Sequence, residues 1–379
     1  MEYTQERLTT LHQLTDQAVG FDGLEGILEE TAIVVPMTDR EHERPAAEAV
    51  LSALETLQPS PAAVVVPVRA SADRIEPFRT WLESFHLPTQ VLWCTAPGVN
   101  RLLSTAGLDG DRGKGRDIWL ALGPATRDAK YVVVHDADAT SYRADHVARL
   151  LSPLSMGYAF SKGYYARVED DRLYGRLCRL LYEPLIETLS SAHDEPILEY
   201  FAAFRYALAG EVAMTASLAR SLRPPRTWGL EVATLGDAYD YAGFDGSAQV
   251  DLGIHQHDHR DVDGETGLEG MSRDVAGSLL GVLENGGVDV DYETLQERYC
   301  AAADRLIGQY RADAAFNGLT YDVADERAQI NRYAKSLEPP EHRERLPPWS
   351  ERPLEPAAVV EAATPWATAV STPETASYE

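Results

Sequence analysis

Asp136 and Asp138 stand one residue apart at the end of an apolar, β-branched run, Tyr131-Val132-Val133-Val134. A run of that length suits a buried strand and is too short for a helix to be preferred. In an open α/β sheet, ligands gather beyond the carboxyl ends of the strands. Two acids there suit a divalent cation carrying a phosphate. An Asp-x-Asp pair also caps helices and turns loops, so its company decides its meaning. Lys114, between Gly113 and Gly115, offers a point charge to a phosphate where glycines admit close backbone approach; the alternative is an ordinary helix start. His255, His257 and His259 alternate, so in an extended chain they share a face, either as metal ligands or as solvated loop histidines. Beside the acidic pair, a hard cation such as Mg2+ or Mn2+ is favoured over a three-histidine zinc site. Arg172, Arg176 and Arg179 recur at helical spacing, with Gly175 beside them to let an anion approach; pairing with the local acids Glu169, Asp170 and Asp171 is the other reading. Glu231, after Trp228-Gly229, either complements a helix dipole or holds sugar hydroxyls.

Positioning these groups calls for alternating strands and helices. Apolar runs at 31–36, 63–68, 90–94 and 131–134 read as strands, with helices at about 44–57, about 73–86 and from Lys114 onward. Strands that are apolar throughout and separated by helices mean βαβ units in a mainly parallel sheet covered on both faces. Further strands are predicted at 158–165 and 248–254, and further helices at about 5–19, 172–189, 228–241, 271–285 and 292–313. This divides the chain into an N-terminal helix (1–29), a nucleotide-binding type of α/β half (30–140), a half that completes the metal and acceptor sites (141–270), C-terminal helices (271–337) and a Pro-rich, disordered tail (338–379).

Composition narrows the function. Sixty acids against 34 bases give a net charge of −26, which excludes nucleic-acid binding and argues against an anionic membrane surface. Only four bases are lysines (Lys114, Lys130, Lys162 and Lys335), and an acidic, lysine-poor surface is what halophilic cytoplasmic proteins tend to show. No apolar run reaches membrane-spanning length and no secretory signal is visible, so a cytoplasmic location is expected. The three cysteines lack metal-ligand spacing and read as reduced thiols. A Gly-x-Gly-x-x-Gly after the first strand and a P-loop are both absent, which speaks against a dinucleotide dehydrogenase and a P-loop enzyme. No local signature supports covalent hydrolase chemistry.

Several motifs recur together in one family: Val34-Val35-Pro36 with Glu41, Gly113-Lys114-Gly115, His135-Asp136-Ala137-Asp138, Lys162-Gly163-Tyr164-Tyr165, Gly175-Arg176, Ala209-Gly210-Glu211, Trp228-Gly229-Leu230-Glu231, Gln249-Val250-Asp251-Leu252-Gly253 with His257, and Met271-Ser272-Arg273. In their order and spacing the chain resembles the glucosyl-3-phosphoglycerate and mannosyl-3-phosphoglycerate synthases, over about residues 30–285. The resemblance implies an α/β fold of GT-A type, Rossmann-like with a mainly parallel sheet flanked by helices, and a C-terminal acceptor-binding and helical region. It implies a metal-dependent retaining glycosyltransferase that moves glucose or mannose from a UDP- or GDP-hexose to 3-phosphoglycerate or a similar small anionic acceptor, and a homodimer.

On this resemblance Pro36, Met37, Asp39 and Glu41 cup the nucleotide, with Ser71 at the end of the second strand, and Asp136 faces the ribose side. Lys114 meets the nucleotide or its diphosphate, Asp138 and His257 hold Mg2+ or Mn2+, Glu231 holds the donor sugar, and Ala209 and Gly210 line the space between donor and acceptor. Lys162, Gly175, Arg176, Cys178, His255 and His259 fall on the acceptor side. Glu231, Asp138 and Lys114 would be the catalytic set. The chain departs from the family at Pro67-Val68-Arg69-Ala70-Ser71, at Cys178 where a hydroxyl is expected, and at His255 where an arginine is expected. The rival classes are a sugar-nucleotide nucleotidyltransferase, which would want a basic Gly-rich loop in place of Thr38-Asp39-Arg40-Glu41, and a non-catalytic nucleotide-sugar binder, which would not need Asp138 and His257 together.

Overall fold

A computed structural model of the chain describes residues 5–15, 20–256, 268–340 and 345–369. The strands are β1 (Thr9–Leu11), β2 (Thr31–Val34), β3 (Met37–Thr38), β4 (Ala63–Arg69), β5 (Thr89–Trp93), β6 (Tyr131–Val134), β7 (Phe160–Ala166), β8 (Val168–Glu169), β9 (Arg172–Leu173), β10 (Val212–Thr215) and β11 (Ser247–Ile254). The helices are α1 (Glu25–Leu28), α2 (Pro45–Glu55), α3 (Ile75–Leu82), α4 (Pro97–Thr105), α5 (Lys114–Asp128), α6 (Asp145–Ser155), α7 (Glu183–Ser190), α8 (Pro196–Ala202), α9 (Ala216–Ser221), α10 (Leu230–Ala242), α11 (Leu268–Asn285), α12 (Leu295–Phe316), α13 (Val323–Ala334), α14 (Pro356–Ala363) and α15 (Pro365–Ala369).

Nine described strands form one sheet in the order β1-β11-β7-β10-β6-β2-β4-β3, with β5 on the other side of β4. Every pair is parallel except those made by β10, which runs antiparallel between β6 and β7. The valines of β2, β4 and β6 are buried, as strands covered on both faces require; each such side chain contributes about 1.5–3 kcal/mol. Because β10 is reversed, its N-terminal end lies at the carboxyl end of β6 and beside Lys162 within β7. The register Val212 to Val134 and Val212 to Lys162 therefore brings Ala209-Gly210-Glu211 beside the loop that carries Asp136 and Asp138.

Three expectations are corrected. Residues 5–19 do not form an amphipathic helix within their described part: Thr9–Leu11 is an edge strand, pairing with Ala248–Val250 of β11. Leu8 and Thr10 are buried while Leu14 is 72% exposed, so the apolar spacing lacks a helical face, and β-branched threonines complete an open sheet edge instead. The expected helix at about 172–189 begins as β9, passes through a π-helical turn at Leu177–Tyr182 and becomes α7 only at Glu183. The disordered-tail reading fails for residues 345–369: Trp349 is buried and stacks on Trp119 with ring centroids 4.9 Å apart. Each indole N–H donates at 2.7 Å to a backbone carbonyl, Trp119 to Pro347 and Trp349 to Trp119. A proline-rich composition describes unpaired backbone, but two tryptophans supply enough apolar surface to hold that backbone down. Residues 370–379 lie outside the described residues. No helix among the described residues is long and apolar enough to cross a membrane.

Candidate active site

Two helices deliver the central charges. Lys114 is the first residue of α5, and Glu231 sits in the first turn of α10, which Gly229 opens at φ +93°. A Cβ on Gly229 would come within 2.3 Å of Ser278 Oγ, so glycine is needed there for both its backbone and its space. Lys114 Nζ lies 2.7 Å from Asp136 Oδ1 and 3.2 Å from Glu231 Oε1. Burial opposes the charge on Lys114, but the two carboxylates more than offset it and its pKa is raised. Glu231 is likewise disfavoured by burial, yet Lys114, its own backbone N–H and Lys162 hold its pKa below the usual carboxylate range.

The glycines around Lys114 serve packing more than ligand approach. A Cβ on Gly115 would meet Pro225 O at 1.9 Å, and one on Gly113 would meet Arg226 O at 2.7 Å. The backbone of 225–227 crosses directly over the start of α5, and its carbonyls accept from Gly115 N and Arg116 N. Two of the N–H groups that a helix start would offer an anion are therefore occupied, which leaves the Lys114 ammonium as the cation at that end.

Lys162, expected on the acceptor side, is buried, and its Nζ donates at 2.7 Å to Ala209 O. Burial lowers its pKa to about 8, with Glu231 and Glu211 offsetting part of the penalty. It braces the Ala209-Gly210 backbone and does not present itself to a solute. Gly210 faces Asp136, whose Oδ2 lies 2.4 Å from where a Cβ would sit, so a side chain at 210 would displace that carboxylate. The structure thus brings Lys114, Asp136, Lys162, Ala209, Gly210 and Glu231 into one cluster.

Asp138 is half-buried between buried Ala137 and Ala139. The same loop is tied to the end of β11: Thr140 N donates to Gln256 O at 2.8 Å, and Gln256 N donates to Ser141 Oγ at 2.9 Å. His257 and His259 lie outside the described residues. No group of three metal-ligating side chains occurs among the described residues. The described part of the donor set is a half-buried carboxylate whose loop is bonded to the residue preceding His257, which fits a hard cation. His255 is buried and stacks on Tyr165 at 4.1 Å, with Nε2 3.7 Å from Glu211 Oε1, so it supports the sheet end and is not placed to meet an acceptor.

At the ends of β2 and β4, Pro36 is half-buried, Met37 is buried and Ser71 is exposed. Glu41 is buried, and its Oε2 accepts from Thr38 N at 2.7 Å and Thr38 Oγ1 at 2.6 Å, bracing the turn. Asp39 N donates to Arg69 O at 3.0 Å, joining the two strand ends. Sequence reasoning passed over Arg69, whose Nε lies 2.5 Å from Asp117 Oδ2. Burial raises the pKa of Asp117 to about 6 against the pull of Arg69 and Arg116. The signal available was Arg69 itself, a charge closing an apolar strand.

On the acceptor side, Gly175 has φ +75° and Arg176 is partly exposed. Cys178 is buried against the backbone of Ala207 and Leu208, which replaces its expected acceptor contact with a packing role. Arg172 stands in β9, apart from the turn that bears Arg176 and Arg179, so the three do not share a helix face. Arg176 and Arg179 pair with Asp325 and Glu326 of α13, acids that sequence distance concealed. Arg273 lines a separate cleft of about 940 Å³ with Arg226, Trp228 and Arg345, beyond the 225–228 crossing.

No protein-family model matches the chain. A glucosyl-3-phosphoglycerate synthase of Methanococcoides burtonii is 32% identical over 356 residues, covering 89% of this chain and 88% of that protein. One from Persephonella marina is 33% identical, covering 80% and 79% respectively. Among solved structures, glucosyl-3-phosphoglycerate synthase of Mycobacterium tuberculosis, in complex with Mn2+, UDP-glucose and phosphoglyceric acid, matches with a TM-score of 0.57 at 22% identity, over 75% of this chain and 89% of that one. The same enzyme with Mg2+ and UDP matches with a TM-score of 0.56 at 23% identity, over 75% of this chain and 88% of that one. The shared architecture is the GT-A type of α/β fold, and over nearly nine-tenths of its length the chain belongs to the glucosyl-3-phosphoglycerate synthase family.

Proposed function

We propose that the protein is a metal-dependent, retaining glucosyltransferase that moves glucose from UDP-glucose to 3-phosphoglycerate. The observation that carries this reading is the charge cluster at the carboxyl end of β6, where Lys114 joins Asp136 to Glu231. Family membership supports the substrates, since the relatives are named for this product.

In this reading Mg2+ or Mn2+, when bound by Asp138 and His257, offsets charge on the departing diphosphate. Lys114 keeps its proton at any working pH and adds a fixed positive charge on the diphosphate side. Glu231, held ionised, accepts hydrogen bonds from the sugar hydroxyls. Pro36 to Glu41, with the neighbouring strand end at Arg69 to Ser71, form the wall against the base. The Ala209 carbonyl, fixed by Lys162, borders the anomeric centre. The free hydroxyl of 3-phosphoglycerate attacks the anomeric carbon as its bond to the diphosphate breaks, and the hydroxyl proton passes to a diphosphate oxygen. Asp136 and Glu231 are both pinned on Lys114, which makes either a poor covalent nucleophile and favours attack on the leaving-group face.

The test is UDP release from UDP-glucose in the presence of Mn2+ or Mg2+, with and without 3-phosphoglycerate. Release that requires both metal and acceptor supports the reading; failure with both metals would remove it. We also propose a homodimer with the C-terminal helices as the candidate contact; sedimentation checks the dimer.

A further inference from the structure

The arginine expected to meet the acceptor already has an anionic partner. Arg176 Nε donates to Glu326 Oε1 at 2.9 Å, and its Nη2 pairs with the Asp325 carboxylate. The two acids differ in kind. Glu326 is buried, with side-chain exposure of 4%, and is shared with Arg179, whose Nη1 lies 2.9 Å from its other oxygen. Arg179 is fixed in turn by Tyr174 O at 2.9 Å and by the Tyr310 ring at 4.9 Å. Glu326 therefore ties α13 to the π-helical turn and belongs to the scaffold.

Asp325 is 46% exposed on its side chain, and Arg176 is its one cationic partner among the described residues. It is not required as a helix cap: Asp322 Oδ1 accepts from both Ala324 N and Asp325 N. Of the two carboxylates on Arg176 it is the exposed one, and so the one that a solute phosphate or carboxylate could exchange with. With Arg179 and Glu326 already balanced, Asp325 leaves Arg176 with no excess positive charge to offer. Any acceptor anion that uses Arg176 must exchange with it.

We propose that Asp325 is a built-in competitor for the anionic group of the acceptor at Arg176 and thereby sets the acceptor KM. The proposal rests on the reading that Arg176 faces the acceptor. An exposed ion pair is weak, so exchange lowers acceptor affinity modestly without blocking it.

The test compares D325N, R176A and the double variant R176A/D325N in the complete chain, with KM measured separately for 3-phosphoglycerate and UDP-glucose and folding monitored by thermal melts. D325N removes the charge at an exposed site with little change of shape. It is expected to lower the acceptor KM about two- to fivefold, with no matching fall in the donor KM. R176A is expected to raise the acceptor KM, and the D325N effect should vanish in the R176A background. If R176A raises the acceptor KM while D325N leaves it level or raises it, the competitor role is overturned and the acceptor reading stands. A D325N effect that persists without Arg176 would also overturn the proposal. If R176A leaves the acceptor KM unchanged, the acceptor reading itself falls.

Discussion

Trp349→Ala tests whether the chain beyond residue 344 is structural. The Trp349 ring is 4% exposed and stacks on Trp119 at 4.9 Å. Truncating a buried tryptophan costs about 3–5 kcal/mol. The variant also removes the indole N–H donated to Trp119 O at 2.7 Å, a hydrogen bond worth on the order of 1 kcal/mol. Allowing for partial collapse of the site, the expected loss is about 4 kcal/mol. For a chain of this size that corresponds to a fall in Tm of roughly 4–8 °C. Far-UV circular dichroism melts measure it without relying on the fluorescence of the deleted ring. Trp349→Phe keeps an aromatic ring but loses the donor and part of the indole's volume, so its loss should fall between about 1 kcal/mol and that of Trp349→Ala. Gly123→Ala attacks the contact from the other side, because its Cβ would fall 2.4 Å from Trp349 Cη2. A Tm within 1 °C or so of the parent for both Trp349→Ala and Gly123→Ala would refute the clamp.

Further expectations concern the charge cluster. Lys114→Met should lower kcat/KM on the order of a hundredfold or more, and unchanged steady-state kinetics would remove Lys114 from the diphosphate side. The same variant should be less stable near neutral pH: Lys114 holds Glu231 below its usual range, a contribution present above pH 4.5 and lost as pH falls through the depressed value. The stability gap between parent and variant, read by urea melts, should therefore narrow toward acid. Lys162→Met should alter the alkaline limb of stability. The folded-state value of about 8 lies below the ordinary 10.5, so the folded chain binds fewer protons across that window and stability from this group rises with pH through it. Urea midpoints of the parent should gain on those of Lys162→Met between about pH 8 and 10.5, and parallel profiles would contradict the buried charge. Asp138→Asn should abolish metal-dependent turnover while leaving the melt unchanged to within about 1 °C; retained metal dependence would exclude Asp138 as a ligand.

The central sheet was legible because β2, β4, β5 and β6 are continuous apolar runs separated by helices. Asp136, Lys114 and Glu231 could be named because strand ends and helix starts are where such folds collect charge. What escaped was set by distant partners. Val212–Thr215 is missing from the predicted strands, because only the gap that β6 and β7 leave calls for a reversed strand there. Lys162 reads as an acceptor-side cation in a predicted strand, and only the Ala209 carbonyl reveals its burial. Arg176 and Arg179 were weighed against acids within ten residues, whereas their partners lie about 150 residues away. Trp349 and Trp366 are the sequence's warning that the proline-rich end is ordered, since a tryptophan in a disordered tail leaves a large apolar ring in water.

The most direct measurement is of the product. Incubation with UDP-glucose, 3-phosphoglycerate and Mn2+ should yield glucosyl-3-phosphoglycerate with the donor's α-anomeric configuration, seen by mass spectrometry and the coupling of the anomeric proton. A β-linked product, or none under conditions where the chain is folded and the metal present, would contradict the account.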